Sequence, residues 1–491
     1  MSVPHSILRQ RIRISAIAKS KAGSRALSRV RAIRTISALF GISSAALLAT
    51  AIMPFDIQPA GALAHSALIL ALGLLVPTIA EVILGGLNRV FHPEHWVIIA
   101  IIYFVLIDLV EGSYDLRLEE SVVQKAFAAI ALFALAVQIG ATLKPKPLPP
   151  ILRKIASTNY SPRTLMVMLL ICFLLGMFNF AFWSDFSPTA MITSLLQPRF
   201  SAPWARGQLG GWNAFSDFLV NCGYVLPTFT VMLAIARQKW THWSVLVGLL
   251  FSIIFLVFVV QGGGRRIPGV MIGAAALSAL LHYRHRLKPR HIAACALVGL
   301  STILLMDVMI TNRGEGFRDF SYQGLHDVRV DDNFLRLGQV MQYVPGAHPY
   351  VGTRWLLFLL VRPVPRVIWP EKPVDAGFSL AELLHERNIS LSYSAIGEWY
   401  VAFGWLGVAV GGLALGMVAR WWSQLLDHEC STTSLALYAT GLMAIFLSIR
   451  SATELVLMTY PILCWIGIDH LFAPRRTPAF LRRGTLWRMS R

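Results

Sequence analysis

Stretches long and apolar enough to cross a bilayer constrain this chain more than any motif in it. A helix needs about 20 mostly apolar residues to traverse the hydrocarbon layer. Runs of that kind lie near 36–54, 64–84, 95–111, 123–142, 164–183, 215–236, 243–261, 268–283, 291–310, 396–419, 433–448 and 453–472, those at 268–283 and 433–448 being short. Hydrophobic residues make up 56% of the 491 residues and charged residues 14%, more apolar sequence than soluble cores require. The sequence therefore predicts an all-α polytopic membrane protein with about twelve transmembrane helices. It contains no soluble catalytic domain, no GxxxxGK[ST] phosphate loop and no internal repeat.

Charge sets the expected orientation. Residues 1–34 carry nine Lys/Arg and no acid; the 143–163 connection, the 282–291 turn and the tail are also basic. An even helix count puts all of them on one side, so both termini are expected in the cytoplasm. The net charge of +19 is then mostly inside-positive bias and points to anionic lipid headgroups rather than nucleic acid. The expected organisation is a basic cytoplasmic arm (1–35), helices 1–9 (36–311), a large external loop (312–395), helices 10–12 (396–473) and a basic tail (474–491). The arm lacks an apolar core, so no cleavable signal is expected there, and such an arm reads as flexible or lying on the membrane surface. Cys172, Cys222, Cys295, Cys430 and Cys464 are scattered without metal or redox spacing, so disulfides, zinc and other cofactors are not expected.

Chemistry is then expected in the external segments, where arginine is usually scarce. One is 184–214, with Arg199; a second is the Gly262-Gly-Gly-Arg265-Arg266 turn. Glycines there permit positive φ and expose backbone N–H groups, so an anion meets both amides and guanidiniums. The third is the 312–395 interruption, whose nine Lys/Arg are matched by nine Asp/Glu. Its apolar island Trp355–Val361 is too short to span and suits an interfacial or re-entrant helix. Arg362 and Arg366 stand among Pro363, Pro365, Pro370 and Pro373, a stiff frame that costs little entropy on binding. A planar guanidinium matches phosphate oxygens in pairs; Arg336, Arg354 and Lys372 extend the same loop patch. Pairing with the loop's own acids is the alternative for several of these, and the Asp331-Asp332-Asn333 run reads as solvated rather than as a metal site. Glu398, followed by Trp399 and Tyr400, sits where the loop enters a helix. It is either a dipole-stabilised helix-terminal carboxylate or a group that orients a sugar hydroxyl beside an aromatic platform. Arg450 and Glu454 are four apart and expected to pair, and Asp108 and Asp307 lie in helices without obvious partners.

The GGGRR turn, the Pro365-Arg…Trp369-Pro-x-Lys-Pro373 stretch and the Gly397-Glu-x-Tyr400…Phe403-Gly opening of a late helix resemble the Wzy-type oligosaccharide repeat-unit polymerases of O-antigen and exopolysaccharide assembly. Some members carry Arg-x10-Gly in their third and fifth external loops, and Arg199…Gly210 and Arg366…Gly377 match that spacing. The resemblance implies a GT-C-like glycosyltransferase of the bacterial inner membrane, working at the periplasmic face without metal on undecaprenyl-diphosphate-linked oligosaccharide. It also implies a chain-length regulator and other polysaccharide-assembly proteins as partners. On this reading Glu398, Arg366 and Arg265 are the catalytic candidates, and Arg199, Arg266, Arg336, Arg354, Arg362, Lys372, Tyr400 and Arg450 bind substrate. An O-antigen ligase, for which His348 and His385 form no clear Arg–His pattern, and a lipid-linked oligosaccharide transporter are the alternative readings.

Overall fold

The computed structural model describes residues 32–112, 114–198, 201–204, 211–261, 266–284, 288–312, 332–362, 364, 368–373, 375–386, 391–427 and 431–472. Among them all regular structure is helical, in keeping with the all-α polytopic expectation. The first half supplies α1 (Ala32–Ala51), α2 (Ala64–Gly85), α3 (Pro93–Glu111), α4 (Glu120–Gly140) and α5 (Pro162–Trp183). A broken crossing follows as α6 (Gly211–Gly223) and α7 (Leu226–Arg237), then α8 (Trp243–Gln261), α9 (Arg266–Tyr283) and α10 (Pro289–Asn312). The 332–386 segment holds α11 (Asn333–Tyr343) and α12 (Thr353–Val361). The chain returns through α13 (Ser394–Trp422), α14 (Thr432–Leu447), α15 (Ala452–Leu457) and α16 (Tyr460–Phe472). By length and composition nine described helices can cross a membrane, and Ala293–Leu305 and Thr432–Leu447 are shorter apolar helices.

Two local choices of sequence position the loop segment. Helix α13 breaks at Phe403 and Gly404, where Gly404 takes φ +62°, a backbone conformation glycine adopts without cost. The break releases the carbonyls of Val401 and Ala402, which accept the N–H groups of Val351 (3.0 Å) and Gly352 (2.9 Å). One turn of π-helix at Ile102–Leu106 in α3 coincides with a second anchor, where Asn333 Nδ2 donates to the Phe104 carbonyl at 2.9 Å. Asp108, expected without a partner, accepts from the Tyr114 hydroxyl (3.1 Å) and from the Phe334 N–H (3.3 Å). These contacts seat α11 against the bundle, where Phe334, Leu337 and Val340 are fully buried. A segment read from sequence as part of an external loop is thus partly core.

Close packing of α13 on α4 depends on glycine. A Cβ at Gly412 would stand 2.5 Å from the Phe133 carbonyl oxygen, and one at Gly416 2.1 Å from that of Val137. Gly412-Leu-Ala-Leu-Gly416 is a small-xxx-small face that lets backbones touch where no hydrophobic effect drives helices together.

The bundle end opposite the loop segment holds a buried charge cluster that the sequence did not announce. Arg34 was expected in a flexible or surface arm; it lies instead in α1, 5% exposed, and its guanidinium donates to Glu94 (2.6 Å) and Glu81 (3.4 Å). His95 adds a contact to Glu81 at 3.3 Å. The described chain is already helical at Ala32, before the expected start near 36, and Arg34 finds carboxylates from α2 and α3 to neutralise it, which buried charge requires.

Candidate functional site

Several candidate residues meet at the loop end of the bundle, around the turn between α14 and α15. Ser451 caps α15, its hydroxyl accepting from the Thr453 N–H at 3.3 Å. Ser451-Ala-Thr-Glu454 has the capping-box spacing, but Glu454 is drawn elsewhere. Its Oε1 contacts Arg450 at 3.5 Å and makes a closer bond to Arg266, the last residue of the GGGRR turn and the first of α9. The expected Arg450–Glu454 pair is therefore one side of a three-residue cluster spanning 188 positions of sequence. Glu454 is 3% exposed, whereas the side chains of Arg266 and Arg450 are 36% and 20% exposed. One buried carboxylate is thus shared by two part-exposed guanidiniums.

Glu398 lies next to this cluster, with both oxygens committed. The Ser451 hydroxyl donates to one, and the Ala452 N–H donates to the other at 2.8 Å. The sequence offered the N-terminus of its own helix as its stabiliser; the structure supplies the N-terminus of α15 instead. Beneath it the Ala395 N–H donates to the Ile449 carbonyl (2.9 Å), and the Ser392 hydroxyl to that of Arg450 (2.8 Å). Glu398 thus ties α13 to the turn that carries Arg450.

The loop candidates divide by what they already hold. The Arg362 guanidinium lies over the Phe358 ring, 5.2 Å from its centroid. The carbonyl of Arg362 accepts from the Tyr460 hydroxyl at 3.0 Å, which joins the proline-framed segment to α16. Lys372 donates to the carbonyls of Arg362 (3.1 Å) and Val364 (2.7 Å) and so fastens the frame. Arg354 pairs with Asp375 at 2.7 Å, whose carboxylate also caps the Gly377 N–H. Arg336 pairs at 2.7 Å with Asp332, the residue that precedes α11. Tyr400 is buried and its hydroxyl donates to the Val344 carbonyl at 3.3 Å, while Trp399 packs on Trp355 with centroids 4.7 Å apart. These two aromatics are spent on packing rather than presented as a platform. Arg199, Arg265 and Arg366 lie outside the described residues. Flanking residues of the first remain visible: Gln261, at the end of α8, accepts from Trp204 Nε1 (3.0 Å) and donates to the Gln197 carbonyl (3.4 Å).

A further wall comes from α5 and α6. The buried Ser216 hydroxyl donates to Asn179 Oδ1 at 2.8 Å, and the half-buried Asp217 stands beside Asn179 and Trp183. Phe218 packs on Tyr460 at 4.9 Å, and the Tyr224 phenol is within electrostatic reach of Arg266, Glu454 and Asp217. Sequence reasoning passed over Asp217, although it is the single acidic residue between 186 and 306, and an isolated carboxylate in an apolar run is a functional signal.

Residues 388–473 match the family described as O-antigen polysaccharide polymerase Wzy. The match supports a Wzy-type O-antigen polymerase, a multi-pass membrane protein of polysaccharide biosynthesis, as the resemblance in the sequence implied. It contains Glu398, Arg450 and Glu454 and excludes the GGGRR turn and the proline frame. No curated protein and no solved structure matches the chain.

Proposed function

From this Wzy-type match and the geometry beside it, we propose that the protein polymerises lipid-diphosphate-linked oligosaccharide repeat units at the outer face of the bacterial inner membrane. The observation that carries the reading is the Arg266–Glu454–Arg450 cluster, which sits at the loop end of the bundle and partly inside the matched segment. The growing chain leaves one polyprenyl diphosphate and joins the sugar end of an incoming lipid-linked repeat. Negative charge develops on the departing diphosphate, and fixed guanidiniums in a water-poor site stabilise that charge with little reorganisation. Arg266, Arg450 and Arg362 take this role, together with Arg265, Arg366 and Arg199. Glu398 acts as the orienter of the Arg450 turn, and Arg336, Arg354, Lys372 and Tyr400 hold the frame on which substrate rests.

The basic arm and tail support a topology with both termini in the cytoplasm and the cluster outside. The described part of the large segment supports the same arrangement, with α11 packed into the bundle and α12 suited to the membrane interface: Leu357 and Leu360 are exposed, as an interfacial helix requires. Purified protein given one lipid-linked repeat, alone and with lipid A-core added, tests the reading. A ladder of products is expected. A single transfer onto lipid A-core, with no ladder, indicates a ligase, and no product from either acceptor indicates transport.

A further inference from the structure

Helix α12 ends where the proline frame begins. Its last carbonyls have no intrahelical donor, and Pro363 brings no N–H. The Val364 N–H returns to the Val361 carbonyl at 3.0 Å. The next carbonyl belongs to Arg362, the residue that caps the helix. It accepts from Lys372 (3.1 Å), which lies in the same segment, and from the Tyr460 hydroxyl (3.0 Å), which comes from a different helix. Lys372 therefore closes the frame on itself, whereas Tyr460 fixes the frame to the bundle.

The side chain of Arg362 also differs from those of its neighbours. Arg336 is paired with Asp332, and Arg354 with Asp375. Among the described residues the Arg362 guanidinium has no carboxylate partner; part-exposed, it rests on the Phe358 ring one turn back on α12. The ring occupies a face of the guanidinium and leaves its N–H edge for oxygen acceptors. Tyr460 is buried and held from the other side by Phe218 of α6, whose ring meets its own at 4.9 Å. Helices α15 and α16 form one crossing, Ala452–Leu471. Tyr460 thus follows Glu454 by six residues on that crossing, about 9 Å along its axis.

Resting on the polymerase reading, we propose that Tyr460 is the positioning residue for Arg362. Its hydroxyl hangs the end of α12 on the crossing that carries Glu454, and so presents the Arg362 guanidinium to the lipid diphosphate that Arg266 and Arg450 also hold. Tyr460 touches the backbone of Arg362 and not the substrate, so its whole effect on the reaction passes through that arginine.

The test compares four full-length proteins in nanodiscs with one lipid-linked repeat: wild type, Tyr460→Phe, Arg362→Ala and the double variant. Phenylalanine keeps the ring against Phe218 and removes only the hydroxyl. Tyr460→Phe should lower the elongation kcat by about tenfold, the size of one net hydrogen bond, with KM for the repeat unchanged. Arg362→Ala should lower it by about 10²–10³-fold, as loss of a charge-stabilising donor does. In the Arg362→Ala background, Tyr460→Phe should cost less than about twofold, because the two residues act as one unit. A role in packing alone would take the same factor from both backgrounds, and that result overturns the assignment. So does elongation at the wild-type rate by Tyr460→Phe. Elongation at the wild-type rate by Arg362→Ala removes Arg362 from the charge-stabilising set and this assignment with it, while the polymerase reading stands. Absence of a ladder from the wild-type protein is a separate result, which overturns both.

Discussion

Glu454 shows how one residue can set the charge of a site. Its Oε1 is shared between Arg266 and Arg450, so the two guanidiniums stay close despite their repulsion. Glu454→Gln removes that counter-charge. A fully buried broken pair costs about 3–5 kcal/mol; both arginines reach solvent, so the expected loss of stability is nearer 1–2 kcal/mol. The freed guanidiniums should bind the lipid diphosphate more tightly, so thermal unfolding and donor titration should move in opposite directions. Glu398→Gln is expected to lower stability by about 1–2 kcal/mol, because the amide offers one accepting oxygen where the carboxylate uses two, which leaves either Ser451 or Ala452 without its acceptor. Donor affinity should survive this change, and a thermal scan beside a donor titration checks both expectations. Here the sequence was only partly legible. The i,i+4 spacing pointed to Arg450–Glu454, but no local rule joins Glu454 to Arg266 across 188 residues. The burial of Tyr400 was not legible for the same reason: adjacency to Glu398 carries no information about which face of α13 is buried.

Among the elements, α13 does the most positioning. Its upper turns carry Glu398, its break at Gly404 binds the loop segment through Val351 and Gly352, and its Gly412–Gly416 face lies on α4. Gly404→Ala puts a side chain at φ +62° and within 2.9 Å of the Tyr350 hydroxyl oxygen. The backbone penalty alone is about 1–2 kcal/mol, and proteolysis within 345–386 should quicken relative to the wild type. Gly416→Leu meets the Val137 carbonyl. Overpacking of this kind costs about 1–3 kcal/mol or more, visible as a lower melting temperature in detergent. The apolar island Trp355–Val361 was readable as a short helix, and α12 is found at Thr353–Val361. Burial of α11 was not readable, because Asn333 and Phe334 are held by a π-turn carbonyl in α3 and by Asp108, both tertiary features.

At the scale of the whole molecule, apolar run length carried most of the information. The expected crossings appear as helices because each must satisfy its backbone internally in hydrocarbon. The two ends of the bundle then differ in chemistry. One holds the closed Arg34–Glu81–Glu94 cluster, and the other the part-open Arg266–Glu454–Arg450 cluster. If the charge bias sets orientation, a cysteine placed at Glu371 should react with an impermeant maleimide added to intact spheroplasts, and one placed at Lys144 only after lysis; the reverse pattern would invert the topology. The central claim is that the arginines of the open cluster stabilise a departing lipid diphosphate. The most direct measurement is the elongation rate of purified Arg266→Ala/Arg450→Ala protein on a single lipid-linked repeat, with folding checked by its elution profile. Loss of one charge-stabilising donor typically costs about 10²–10³ in rate, so the double variant should fall at least that far below the wild type while remaining folded. A folded double variant that builds the ladder at the wild-type rate would contradict the account.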